Sequence, residues 1–257
     1  MTKRILLTSL IVLLSGGLLG CYFYFVGALA RDGRQQARCR QVEVFLPDSL
    51  ESTIVDKQEM CAFLQKNVGR PIDSIDLHAL EMQIRSRGEV MDAQVYTVDE
   101  HTLTARISQR KPVVRLENGQ VRWYADPDGY LFPVRNAVDV PLVTGRIPLT
   151  AEPSYKGFAP EQEQAWMEGI VALARYIDSK PVLRREIAQI DVDSNGDLVL
   201  YTRRPGPGII FGDSSDYITK FQKLEAWWRN IEPQLEPGKT YKTINLKYNQ
   251  QIICRQL

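Results

Sequence analysis

Histidine is scarce in this chain of 257 residues: His78 and His101 are all it has. One falls near a predicted helix start and the other in a predicted turn, so neither points to a nucleophile–base pair. Cysteine is sparse too. Cys21, Cys39, Cys61 and Cys254 form no C-x-x-C pair and have no histidine nearby, which argues against a zinc site. Net charge is almost absent, with 32 Lys+Arg against 31 Asp+Glu, and gives no electrostatic footprint for nucleic acid. Charged and apolar residues occur in the proportions of an ordinary folded chain, so no large disordered region is expected.

Two fragments imitate ligand sites and lack their essentials. Gly238-Lys239-Thr240 looks like the end of a phosphate loop, but Pro233 stands where that loop needs glycine, and the predicted order is helix then strand. Asp191-Val192-Asp193-Ser194-Asn195-Gly196-Asp197 looks like a calcium loop, but Thr202 holds the position that needs a bidentate acid. A β-turn is the simpler reading. Asp126 and Asp128 also lie in a turn and need no catalytic role. No cofactor, metal ion, nucleic acid or small-molecule substrate is therefore expected, and no enzymatic activity.

What is present begins with an apolar run. Ile5 to Ala30 contains no charged residue and follows Lys3 and Arg4. As a helix rising about 1.5 Å per residue it would cover roughly 39 Å, enough to span a bilayer with some tilt. Tyr22 and Tyr24 sit where interfacial aromatics help anchor a span. A cleaved signal peptide would turn polar earlier, and a lipidated Cys21 would be followed by a polar tether; aromatics follow instead. An uncleaved anchor is the reading taken. Arg31, Arg34, Arg38 and Arg40 lie just beyond the run, so the positive-inside bias alone points the wrong way for an exported C-terminal part. Long domains translocate largely regardless of charge. Outside the anchor, three cysteines allow at most one intramolecular disulfide; free buried thiols are the alternative.

The next stretch reads strand, helix, helix, strand, strand. Gln41 to Leu46 is strand-like. Asp56 is a helix cap, with Met60, Phe63, Leu64 and Val68 at helical spacing and Gly69 as the stop. Ser74 or Asp76 caps a second helix whose apolar face is Leu77, Leu80 and Ile84. Val90 to Val98 and Leu103 to Ile107 follow as strands around Asp99-Glu100-His101. A three-stranded sheet with both helices on one face buries both stripes at once.

Beyond Pro112 the chain reads as β-rich with two helices. Asp126-Pro127-Asp128-Gly129 joins two strands, and Asp193 to Asp197 joins two more. Glu161 to Ser179 is predicted helical with Trp166, Ile170, Leu173, Ala174 and Ile177 inward. A second helix begins at Asp213-Ser214-Ser215, with Ile218, Phe221, Leu224 and Trp228 inward. Tyr241 to Tyr248 and Gln251 to Cys254 are the predicted final strands.

The order of the first unit is that of a POTRA domain. Its last strand leads into Gln109-Arg110-Lys111-Pro112-Val113-Val114-Arg115, and there the chain resembles the FtsQ/DivIB family. Tyr124, Asp126, Gly129, Phe132 and Pro133 match a further family pattern, as do Pro141-Leu142-Val143-Thr144-Gly145 and Ile244-Asn245-Leu246-Lys247-Tyr248. The resemblance implies an α+β chain with an N-terminal transmembrane helix: a cytoplasmic tail over 1–4, the span over 5–30, a linker over 31–38, a POTRA-type βααββ domain over 39–111 and a β domain over 112–257.

It also implies a single-pass protein of the bacterial inner membrane, at the septum, with its C-terminal domains periplasmic. Its function would be scaffolding: linking and recruiting FtsB-like and FtsL-like partners, with an FtsK-like protein as a further contact. In the family the last strands bind the FtsB-like partner by strand addition, which an exposed strand edge favours physically. On this sequence Tyr248 and Ile252 are the anchor candidates, with Lys247, Gln250 and Arg255 as rim contacts and Trp227 and Trp228 as further contributors. Ile244, Leu246 and Ile252 also read as core residues. The rival expectation is another POTRA protein of the envelope, assisting export or outer-membrane assembly; neither repeated units nor a series of barrel-length strands accompany it here.

Overall fold

The structure, a computed structural model, describes residues 16–27, 37–47, 54–119, 121–133, 137–236, 241–249 and 251–256. Helix α1 covers 16–27 and exposes Leu18, Leu19, Tyr22, Phe23, Tyr24 and Phe25. Among the described residues no helix is long and apolar enough to cross a membrane; positions 5–15 and 28–30 of the expected span lie outside them. The chain divides into two compact units, Met1–Ser108 and Gln109–Leu257.

The first unit contains strand β1 (Gln41–Phe45), helices α2 (Lys57–Gln65) and α3 (Leu77–Arg85), and strands β2 (Val90–Thr97) and β3 (Thr102–Gln109). The sheet order is β1-β3-β2, with β1 parallel to β3. Both helices start on an aspartate. Asp56 accepts from the N–H groups of Gln58 (2.8 Å) and Glu59 (3.2 Å), and Asp76 from that of Ala79 (2.9 Å). Met60, Leu64 and Ile84 are buried against Leu103, Ala105 and Ile107 of the central strand. Leu77 and Leu80 are only partly buried, and Val68, beyond the end of α2, is exposed rather than part of its stripe.

The second unit holds one ten-stranded mixed sheet. Its elements are β4 (Val114–Asn118), β5 (Val121–Ala125), β6 (Tyr130–Pro133), β7 (Leu142–Gly145), β8 (Gly157–Phe158), α4 (Glu161–Ser179), α5 (Pro181–Glu186), β9 (Ile187–Val192), β10 (Leu198–Thr202), β11 (Gly208–Gly212), α6 (Tyr217–Asn230), β12 (Tyr241–Asn245) and β13 (Ile253–Gln256). The strand order is β13-β12-β11-β10-β9-β7-β4-β5-β6-β8. Chain connections explain the mixture. Two-strand hairpins give antiparallel pairs, as at β9–β10, whereas β7–β9 and β11–β12 are parallel because helices intervene.

Turn chemistry fixes the hairpins. An Asp126 carboxylate oxygen accepts from the N–H groups of Asp128 and Tyr130, with Gly129 at φ +82°. Asp193 serves Asn195 and Asp197 in the same way, with Gly196 at φ +83°. Alternate residues of β9 to β12 then point into one core: Ile190, Leu198, Leu200, Ile209, Phe211 and Ile244 meet Ile170, Leu173 and Ala174 of α4 and Phe221, Leu224 and Trp227 of α6.

Four expectations need correction. Among the described residues this unit has three α-helices, not two; α5 is too short for its periodicity to be read, and it opens on Pro181, where a missing N–H costs nothing. In α4 the stripe runs through Met167 and Val171, leaving Trp166 half-buried. Helix α6 starts not at Asp213 but after Asp216, which lies at φ +46°. In α6 Ile218 is exposed, Lys220 and Trp227 are buried, and Trp228 is half-buried. Finally, β12 ends at Asn245 and β13 begins at Ile253, both shifted from the expected bounds.

Candidate functional site

The final two strands form one end of the large sheet. Strand β13 pairs antiparallel with β12, with Thr243 opposite Arg255, Ile244 opposite Cys254 and Asn245 opposite Ile253. Among the described residues no strand lies beyond β13. Its outer side is therefore a sheet edge, where backbone N–H and C=O groups lack a ladder partner.

Alternation sorts the side chains into two faces. Ile244 and Leu246 are buried in the core, with Ile252 and Cys254 packed against them from the edge. The opposite face is the one away from α4 and α6. It carries Thr243, Asn245, Ile253 and Arg255, and continues inward through Ile210, Val199 and Tyr201. Part of this face is a shallow groove of about 700 Å³, lined by Val199, Tyr201, Ile210, Thr243, Asn245 and Tyr248.

The expected contact residues fare unequally. Tyr248 is 49% exposed and lies in the connection after β12 rather than within the strand. Lys247 is exposed, but its Nζ donates to Asp197 Oδ2 at 2.5 Å, and that hydrogen bond raises its pKa. It ties the connection to the β9–β10 hairpin. Arg255 is exposed on β13. Ile252 is half-buried against the core, so the exposed apolar residue of the edge is its neighbour Ile253, at 44%. Gln250 lies outside the described residues. Trp227 is core, its ring meeting Tyr241 edge-on at 6.3 Å. Sequence reasoning did not single out Ile253, because the predicted strand contains both Ile252 and Ile253; the pairing of Ile244 with Cys254 assigns Ile252 and Cys254 to the core face and Ile253 to the other.

Helix α6 supports this end from the core side. Lys223 donates from Nζ to the carbonyls of Leu246 (2.9 Å) and Tyr248 (2.6 Å). Desolvation by burial, and then the charge of Lys220, lowers its pKa. Lys220 is buried over the Phe211 ring and donates to Asp213 Oδ1 (2.8 Å) and Asp213 O (3.0 Å). That bond, with one from Ser215, brings the Asp213 pKa down to about 2. Elsewhere, burial would raise the Glu186 pKa, but hydrogen bonds from Arg185 and Arg204 outweigh it and lower the value. Of these groups Lys247, Asp213 and Glu186 sit in ion pairs, and Lys223 sits on backbone carbonyls. Among the described residues no group of three or more His, Cys, Asp or Glu is placed to hold a metal ion. All four cysteines are free thiols.

A family model described as "FtsQ/DivIB, C-terminal related" matches residues 111–255. That span runs from just before β4 into β13 and so includes the whole candidate edge except Gln256. No curated protein matches the chain. With more than half of its length matched, over the unit that carries this edge, the chain belongs to the FtsQ/DivIB family of cell-division proteins.

Proposed function

We propose that the chain is a non-enzymatic scaffold of the bacterial division septum that recruits FtsB-like and FtsL-like membrane proteins through the free edge of β13. Family membership supports the division role. The observation that carries the binding reading is the edge itself: a terminal strand flanked by exposed Tyr248, Ile253 and Arg255, beside an open sheet face. A partner segment added as an extra strand would gain main-chain hydrogen bonds from β13 and side-chain contacts from those residues. The apolar run from Ile5 to Ala30 anchors the protein in the inner membrane, with both folded units periplasmic. The first unit acts as a POTRA module contacting earlier-arriving proteins such as an FtsK-like one; its βααββ order supports that reading.

The test uses the tagged full chain in detergent, with capture of co-expressed FtsB-like protein as the readout. Wild type captures it; Tyr248→Ala/Ile253→Glu, with an unchanged melting temperature, does not. Capture of outer-membrane assembly or export proteins instead would replace this reading with that of an envelope assembly factor.

A further inference from the structure

Residues 246–249, between β12 and β13, lie outside regular strand, so their carbonyls have no ladder to enter. Two of them, from Leu246 and Tyr248, are met by one ammonium, that of Lys223. The lysine reaches them from α6, more than twenty positions earlier in the chain. It faces these carbonyls and no carboxylate among the described residues, although burial disfavours its charge. A charged donor kept half-buried for two backbone oxygens is costly unless the shape it holds matters.

A second fastening meets the connection from elsewhere. Lys247 donates from Nζ to Asp197 Oδ2, and its backbone N–H donates to Asn245 Oδ1 at 3.0 Å. Gly212, at φ +81°, leaves room for its stem; a Cβ there would stand 2.9 Å from Lys247 Cγ. The segment bearing Tyr248 is thus held from the helix by Lys223 and from the β9–β10 hairpin by Asp197.

We propose that Lys223 is the positioning residue of the partner-binding edge: by holding the carbonyls of Leu246 and Tyr248 it sets the shape in which Tyr248 and β13 meet an incoming strand. This rests on the edge reading above. Without Lys223 only the bonds of Lys247 to Asp197 and Asn245 hold the connection, and its carbonyls sample other shapes. A partner must then order it on binding, and affinity falls by the fraction of time the competent shape is populated. Lys223 touches no partner itself. Its effect passes through the backbone of 246–248.

The experiment uses the full chain in detergent, with the cognate FtsB-like protein as the probe. Lys223→Met keeps the aliphatic stem and removes the donor; Lys223→Arg keeps a charged donor. The expected result for Lys223→Met is capture weakened by about tenfold, with amide hydrogen exchange accelerated over 246–256 and unchanged in β9, β10 and α4. Lys223→Arg restores most of both. If Lys223→Met binds as wild type while Tyr248→Ala/Ile253→Glu does not, the positioning role is overturned and the edge reading stands. If neither variant changes capture, the edge reading fails and the positioning role with it. A general loss of exchange protection in Lys223→Met that Lys223→Arg does not reverse would make Lys223 an ordinary stability residue and overturn the proposal.

Discussion

The pair of Lys220 and Asp213 gives an asymmetry that stability measurements can resolve. The Lys220 side chain is 7% exposed, whereas that of Asp213 is 74% exposed. Removing the lysine leaves behind a carboxylate that water can solvate. Removing the carboxylate's charge leaves a buried ammonium with only neutral acceptors. Asp213→Asn keeps the side chain's shape and its turn to Ser215 while replacing a charge-assisted bond by a neutral one. The net difference between those bond types is about 1 kcal/mol, and the exposure of Asp213 keeps it from being larger. Lys220→Met, which retains apolar contact with Phe211, costs about 0.5 kcal/mol or less.

The assay is urea unfolding followed by tryptophan fluorescence. All four tryptophans, Trp123, Trp166, Trp227 and Trp228, lie in the second unit, so the signal reports on that unit within the full chain. A loss of 1 kcal/mol lowers the midpoint by roughly 0.5 M at a typical slope. The pH dependence has a definite sign. The Asp213 pKa is lowered from 3.8 to about 2, so its contribution is complete above pH 3.8 and is lost as pH falls through 2. Wild type and Asp213→Asn therefore converge in acid. Lys220→Met costing more than Asp213→Asn at neutral pH, or a gap between wild type and Asp213→Asn that persists at pH 2, would refute the reasoning.

Two further predictions test the frame around the edge. Asp126 is buried and accepts from Arg110 at 2.6 Å as well as from two turn N–H groups, so Asp126→Ala lowers stability by about 3 kcal/mol in the same urea assay. Gly145 lies at φ +86°, and a Cβ there would come within 2.3 Å of the Val192 carbonyl oxygen, a backbone atom that cannot yield cheaply; Gly145→Ala costs more than about 2 kcal/mol and lowers the melting temperature accordingly.

Much of this architecture was legible in the residues. Aspartates before apolar periodicity marked α2 and α3, and Asp128-Gly129 and Asn195-Gly196 marked two hairpins, because those signals are local. The large sheet's order was not legible. The parallel neighbours of β4, β7 and β9 are joined by tertiary contacts alone. The burial of Lys220 was also hidden, since a lysine on a helix reads as solvated until its partner is placed. Tyr248 stood out in the sequence through a family motif, whereas Ile253 needed the strand register to separate it from Ile252. Lys223 gave no local signal at all, because its partners are backbone carbonyls far along the chain.

The central claim is that the free edge of β13 binds a partner strand, and a pair of prolines tests it most directly. Successive residues of an edge strand turn their N–H groups alternately to the neighbouring strand and to the open side. Of Ile253→Pro and Cys254→Pro, one removes an N–H from the pairing with β12, and the other removes one from the free edge. The account predicts that one variant has a lowered urea midpoint, while the other keeps the wild-type midpoint and loses capture of the FtsB-like partner. A variant with wild-type stability, lacking the outward N–H and still capturing the partner at full strength, would contradict it.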